Sequence, residues 1–308
     1  MRDSEKRIMI WREATRSEIY AYYDQEFPEY TDQLPGFITA TGPKEFGLSF
    51  RDRHPIRKDE RPDRDFIRRA TWRTDSSGER IAQHFDGFEE VRSFIQAPAR
   101  NDPFGDSEYA LADPGLLVKS DPVSAGVYYG LDNWERPWVL AVDIDAKDIA
   151  IARADRELKD VEIDSHDDDR SRNEVLLTES GIQATAPAGY PYAFEDLKRT
   201  IEYGFETRDI FETEFDADDT MVVYSGQGVH VYLLDDDPEH DYDESSREVL
   251  NDLLIERYEI PIDPVVTADR SRLLRVPYSL HAEVCRVVQP IDSSAFDPRT
   301  EARPQFLE

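Results

Sequence analysis

Two apolar runs, Thr220–Tyr224 and Val229–Leu234, flank the tetrapeptide Ser225-Gly226-Gln227-Gly228, and no other feature of this chain restricts its fold as much. Runs of that length, rich in Val and Tyr, read as strands, and two glycines in so short a link give a tight turn between them. A hairpin is therefore expected. Upstream, Phe194, Leu197, Ile201 and Phe205 recur at three- and four-residue steps, which predicts an amphipathic helix over Phe194–Phe215. Downstream, Ser245–Arg257 carries Val249, Leu250, Leu253 and Leu254 and reads as a further helix. Helices and hairpins mix without strict strand–helix alternation, so the fold class expected is α+β, with mixed or antiparallel sheets and packed helices.

The other elements are shorter. Residues 14–25 read as an early helix, and Phe37–Ile38, Phe46–Phe50, Val127–Tyr129 and Trp138–Asp145 read as strands. Leu273–Val276 and Arg286–Ile291 read as strands flanking Pro277–Val284. Segment 153–183 holds the run Asp164-Ser165-His166-Asp167-Asp168-Asp169 and little apolar content, so it reads as an acidic, mobile insertion.

Charge complicates this picture. The formal net charge is −30, from 37 basic and 67 acidic residues, with 39% hydrophobic content. Such values ordinarily mark disorder. Here the apolar residues fall into strand and helix periods, which a disordered chain does not need. Only 7 of the 37 basic residues are Lys. A folded protein of a high-salt cytoplasm, from a halophilic archaeon, accounts for both facts: at ~1 M salt the Debye length is about 3 Å, and surface self-repulsion is screened. There is no apolar run of transmembrane length and no basic-then-apolar leader, so a soluble, cytoplasmic protein with no membrane partner is expected. Cys285 is alone, which excludes an internal disulfide and a cysteine-rich zinc module.

Chemistry first suggests itself at Asp143-Ile144-Asp145. With 67 acidic residues in 308, an acid-x-acid triplet arises by chance about 14 times. Its setting gives it meaning. It ends the apolar run Trp138–Val142, and carboxylates at i and i+2 on a strand point to one face. Two like charges side by side are costly unless a cation lies between them, and hard oxygen ligands favour Mg²⁺ or Mn²⁺. A second stretch, Arg51–Arg73, holds nine Arg or Lys against five Asp or Glu. Arg53, Arg57, Arg68 and Arg69 lie there near Phe66 and Trp72, rings able to stack on bases. The segment reads either as part of a nucleic-acid path or as a solvated face paired with its own acids.

Taken together, Glu45-Phe46-Gly47, Val142–Asp145, the helix running into Tyr224–His230, and Ile262–His281 resemble, in order, the catalytic small subunit of archaeal and eukaryotic-type DNA primases. The resemblance covers residues 37–292 and implies one primase–polymerase catalytic domain over 1–308. It implies template-dependent nucleotidyl transfer, making short primers on single-stranded DNA from nucleoside triphosphates with two Mg²⁺ or Mn²⁺ ions. It implies metal ligands Asp143, Asp145 and Asp263, with Asp269 as the rival third. Lys44, Ser225, Gly226, Gly228, His230, Arg275 and His281 are implied on the nucleotide side, and a primase large subunit as partner. The chain departs from the family at Gln227, in a turn where many relatives carry an arginine, at Lys44, where they often carry arginine, and at 153–183, which stands where the zinc module is usual. Three rivals share these residues: a primase–polymerase or end-joining polymerase, a non-catalytic primase-like nucleic-acid-binding subunit, and a nuclease or phosphoesterase.

Overall fold

The structure is a computed structural model, described at 140–157, 192–234, 242–268, 274–281 and 284–307, at several positions within 12–36, and as backbone alone in five short strands between 47 and 117. Those strands are β1 Gly47–Phe50, β2 Phe66–Arg68, β3 Thr71–Thr74, β4 Arg80–Gln83 and β5 Leu116–Leu117. After them come β6 Leu140–Asp145, α1 Ala146–Glu157, α2 Phe194–Glu214, β7 Thr220–Tyr224, β8 Gly228–Leu233, α3 Glu244–Asp252, α4 Pro264–Ala268, β9 Leu280–His281, β10 Arg286–Val287 and β11 Gln289–Pro290. Among the described residues every strand pair is antiparallel, and helices pack on the central sheet, as an α+β fold requires.

The central sheet has the order β11-β7-β8-β6, and the glycine hairpin β7–β8 forms its middle. Alternation assigns its faces. Val142 and Ile144 of β6, Val222 and Tyr224 of β7, and Val229 and Val231 of β8 enter one core with Leu197, Ile201, Phe205 and Phe211 of α2. Helix α2 can lie so close because Gly204 faces the sheet: a Cβ there would meet Val229 Cγ2 at 2.8 Å. Asp196 fixes the helix start. It accepts from the Ala193 N–H at 2.7 Å and takes a bidentate contact from Arg153 of α1 at 2.9 and 2.8 Å. The other face of the sheet carries a smaller apolar group, Ala141, Val223, Tyr232, Leu274 and Val288. On this face Asp143 and Asp145 stand at the end of β6, in the same alternation as Ala141.

Several expected boundaries move. Helix Ser245–Arg257 starts one residue earlier because Asp243 caps it, accepting from Ser246 N–H at 2.8 Å, and its last turn, Leu253–Arg257, is a π turn. The early helix shows a π turn at Tyr22–Glu26 that tightens into a 3₁₀ segment, Phe27–Gln33, beginning at Phe27-Pro28. Residues 274–276 are not a strand; the ladder forms at Leu280–His281 instead, inside the expected connection. Pro277 has no N–H to donate, and Tyr278 turns into the left-handed region at φ 65°, so the chain reverses before it pairs. Arg286–Ile291 divides between sheets: β10 pairs with β9, and β11 pairs with β7. Helix α1 runs to Glu157, five residues into the expected insertion, and the rest of 153–183 lies outside the described residues. So do Phe37–Ile38 and Val127–Tyr129. Among the described residues, no helix is long and apolar enough to cross a membrane.

Candidate active site

Strand β6 is an edge strand, and the site grows from its exposed end. Asp143 stands opposite His230 on β8, and Asp145 opposite Gly228. The Asp143 carbonyl points away from β8 and accepts the Asp263 N–H at 2.8 Å. Asp143 and His230 are therefore a non-hydrogen-bonded pair, in which facing side chains lie closest. That single backbone bond also carries Asp263 to the two β6 carboxylates from a distant part of the sequence. The Asp263 side chain is occupied locally. Its Oδ1 accepts from Val265 N–H at 2.9 Å and Val266 N–H at 3.4 Å, capping α4, where Pro264 opens the helix.

Electrostatics mark Asp143 out. Its side chain keeps 15% exposure, and its Oδ1 is buried without a hydrogen-bond partner. Burial raises its carboxyl well above the usual range, Asp145, Asp263 and Asp148 push the same way, and Arg275 opposes them. Asp145 is raised first by burial, against Lys147 and Arg275; its side chain is 35% exposed, so solvent screens it better. Sequence reasoning missed the flanking pair. Asp148 is pushed up to about 6 by burial, Lys147 drawing it down and Asp145 and Asp263 adding to the rise. Lys147 Nζ lies 4.0 Å from Asp145 and 3.9 Å from Asp148. A rare lysine just after an acid pair was the available signal.

His230 is buried, and burial together with Arg275 drives it down to about 3, so it is neutral. Its Nδ1 lies 3.3 Å from the Tyr232 hydroxyl and its Nε2 3.5 Å from Asp143 Oδ1. The second contact is too long for a hydrogen bond, and between a neutral ring and a carboxylate it is no ion pair. Tyr232 was not singled out from the sequence, because it reads as one more apolar strand position.

The glycine turn is tightly held. Ser225 N–H donates to Gly228 O at 2.9 Å, the Tyr224 hydroxyl to Gly226 O at 2.6 Å, and Ala146 N–H, at the start of α1, to Gln227 O at 3.0 Å. Gly226 has φ +107°, and a Cβ there would sit 2.2 Å from the His281 ring. At Gly228 a Cβ would sit 2.3 Å from the Ile144 carbonyl. Both bare α-carbons thus face protein; close packing requires glycine at each, and the positive φ requires it again at Gly226. His281 reaches the turn because β11 pairs with β7 and carries the β9–β10 hairpin alongside it; its Nε2 is 3.3 Å from Gln227 Nε2.

The structure thus brings Asp143, Asp145, Asp263, His230 and Arg275 to one region, with Ser225, Gly226, Gly228 and His281 at the adjoining turn. Lys44, Asp269, Arg53, Arg57 and Arg69 lie outside the described residues, and Arg68 is described only as backbone in β2. Among the described residues, no three His, Cys, Asp or Glu side chains are arranged to hold a metal ion. Two oxygen donors on one face with an unsatisfied buried oxygen do suit a hard divalent cation; the third carboxylate is turned to its cap.

No family model matches the sequence. Over 122 residues the chain is 37% identical to an uncharacterized DNA primase small subunit-like protein of Archaeoglobus fulgidus. That stretch is 39% of this chain and 41% of the relative. Among solved structures, the polymerase domain of ligase D from Mycobacterium tuberculosis, in complex with DNA, aligns with 92% of this chain and 85% of its own, at 14% identity and a TM-score of 0.41.

Proposed function

We propose that this chain is a primase-type nucleotidyltransferase, joining nucleoside triphosphates into short primers on a single-stranded DNA template. The observation that carries it is the arrangement at the end of β6: two carboxylates on one face, one with an orphaned buried oxygen, beside Arg275, His230 and a bound-down glycine turn. Similarity to a primase small subunit-like relative supports the same class.

Asp143 and Asp145, with Asp263 as third donor once its cap is released, would hold Mg²⁺ or Mn²⁺. Such ions supply charge neutralisation for attack of a 3′-hydroxyl on an α-phosphate and for the departing pyrophosphate. Arg275 provides a fixed positive charge whose field already reaches Asp143, Asp145 and His230. His230, being neutral, offers a phosphate an N–H donor and no charge. Ser225, Lys44 and His281 complete the nucleotide side, and Arg53, Arg57, Arg68 and Arg69 the template path. A large subunit is the expected partner.

The decisive experiment incubates the purified chain, in molar salt, with an unprimed single-stranded template, Mg²⁺ or Mn²⁺ and labelled nucleotides. Short labelled products are expected. Extension of primed ends with none from unprimed template would move the chain to the end-extending polymerases, and degradation of the template would make it a nuclease. Within the same assay, Arg275→Ala is expected to weaken triphosphate binding about tenfold or more, on the order of one charge-assisted phosphate contact, while template affinity holds. Loss of template affinity alone would place Arg275 against the strand.

A further inference from the structure

An N-terminal segment far from the carboxylates in sequence grips the loop that delivers His281. The Tyr22 hydroxyl donates to the Tyr278 carbonyl at 2.6 Å. The Tyr23 hydroxyl accepts the Leu280 N–H at 3.0 Å. Tyr30 stacks on Tyr278 with ring centroids 4.9 Å apart and planes 2° from parallel. Glu26, itself buried, accepts the Gln305 N–H at 2.8 Å, tying the same segment to residues near the C-terminal end of the chain.

These contacts fall on a reversal that also makes backbone bonds of its own: Ser279 N–H donates to Val276 O at 3.0 Å, Tyr278 N–H to Val288 O at 2.5 Å and Val288 N–H to Ser279 O at 2.9 Å. Tyr278 sits at φ 65°, a region that non-glycine residues rarely occupy and that persists only when surrounding contacts over-determine it. Tyr22 holds its carbonyl and Tyr30 its ring. Two residues later Leu280 opens a ladder only two residues long, and its N–H ends on Tyr23. His281 follows directly, buried, with its ring filling the space that a Gly226 side chain would need. The short ladder and these backbone bonds hold the reversal from within, and the tyrosines add a second grip on both sides of Tyr278–Leu280.

We infer that residues 22–33 are a positioning brace for His281, and that Tyr23 and Tyr30 act through it on nucleotide binding without touching the nucleotide. The inference rests on the nucleotide role proposed for His281, and it deepens that reading by adding a remote wall to the same site. A side chain that contacts the triphosphate equally before and during reaction sets KM and leaves kcat alone, which separates this role from general stability.

The test uses the full chain in molar salt, with Tyr30→Ala, Tyr23→Phe and the conservative Tyr30→Phe. The His281 ring signal, assigned by its loss in His281→Gln among six histidines, is followed by ¹H–¹³C NMR in the free protein. KM and kcat for nucleoside triphosphate are then measured at a temperature where each variant is folded. Tyr30→Ala and Tyr23→Phe are expected to displace the His281 signal and raise KM about fivefold, with kcat within about twofold of wild type. Tyr30→Phe, which keeps the stacking ring, should restore both. A folded Tyr30→Ala protein with the wild-type His281 signal overturns the brace, whatever its melting temperature. Should the wild type bind no nucleotide, the primase reading fails, and the brace still stands or falls on the His281 signal.

Discussion

Asp143→Asn is expected to abolish nucleotide incorporation and, in divalent-free buffer, to raise the melting temperature. The two effects have one cause. Asp143 is nearly buried, its Oδ1 has no hydrogen-bond partner, and Asp145 and Asp263 bear on it as like charges. An ionised carboxylate so placed costs stability, and an amide of the same shape does not carry that charge. Its folded value lies above its unfolded one, so the native state binds the extra proton. Stability is then full below the ordinary carboxylate range and falls as pH rises through the raised value. The variant lacks this decline, so its advantage should widen as pH rises from the ordinary carboxylate range toward neutral. Activity should fall on the order of 10³-fold, as when a preorganised charge is removed from the reacting centre. Asp145→Asn should lose activity similarly with a smaller gain in stability, because 35% of its side chain already meets solvent. Incorporation by the double variant at the wild-type rate would end the enzymatic reading; an Asp143→Asn protein less stable than wild type at about pH 7 would show that the carboxylate is satisfied after all.

Legibility in the sequence followed the range of the forces involved. The β7–β8 hairpin, α2 and the same-face pair Asp143 and Asp145 could be read because each depends on local periodicity or on the strand alternation of two. The junctions that depend on tertiary partners could not. Nothing local says that the Asp263 amide pairs with the Asp143 carbonyl, or that Val288 is where one strand leaves β9 for β7. Leu273–Val276 has strand composition, but Pro277 and the left-handed Tyr278 delay pairing until Leu280. His230 was legible as a residue on the strand leaving the glycine turn and not in its protonation, since burial sets the latter. The tyrosines at 22 and 23 read as part of one early helix; that they and Tyr30 hold a loop 256 residues away is invisible without the fold.

Gly228→Ala is expected to be the most damaging small substitution in the sheet. The added Cβ would lie 2.3 Å from the Ile144 carbonyl oxygen, 3.0 Å from Asp145 Oδ1 and 3.1 Å from Asp145 Cα. The nearest of these is backbone of β6 and cannot swing aside as a side-chain tip can. Relief therefore requires the β6–β8 ladder to open at its last pair, Asp145 opposite Gly228. The expected loss is about 3 kcal/mol, at the upper end for overpacking because backbone must move. Gly204→Ala supplies the control. Its Cβ would meet Val229 Cγ2 at 2.8 Å, a methyl that shares its space with Val222. Stability there should fall by about 1–2 kcal/mol with no displacement at the carboxylates. Urea unfolding gives both stabilities, and incorporation is compared at a temperature where both variants are folded. Gly228→Ala should then be inactive per folded molecule, because Asp145 has moved, while Gly204→Ala should work at the wild-type rate. A Gly228→Ala protein within about 1 kcal/mol of wild type would mean that β6 does not run where its register with β8 puts it, and the carboxylate pair would lose its place at the head of the site.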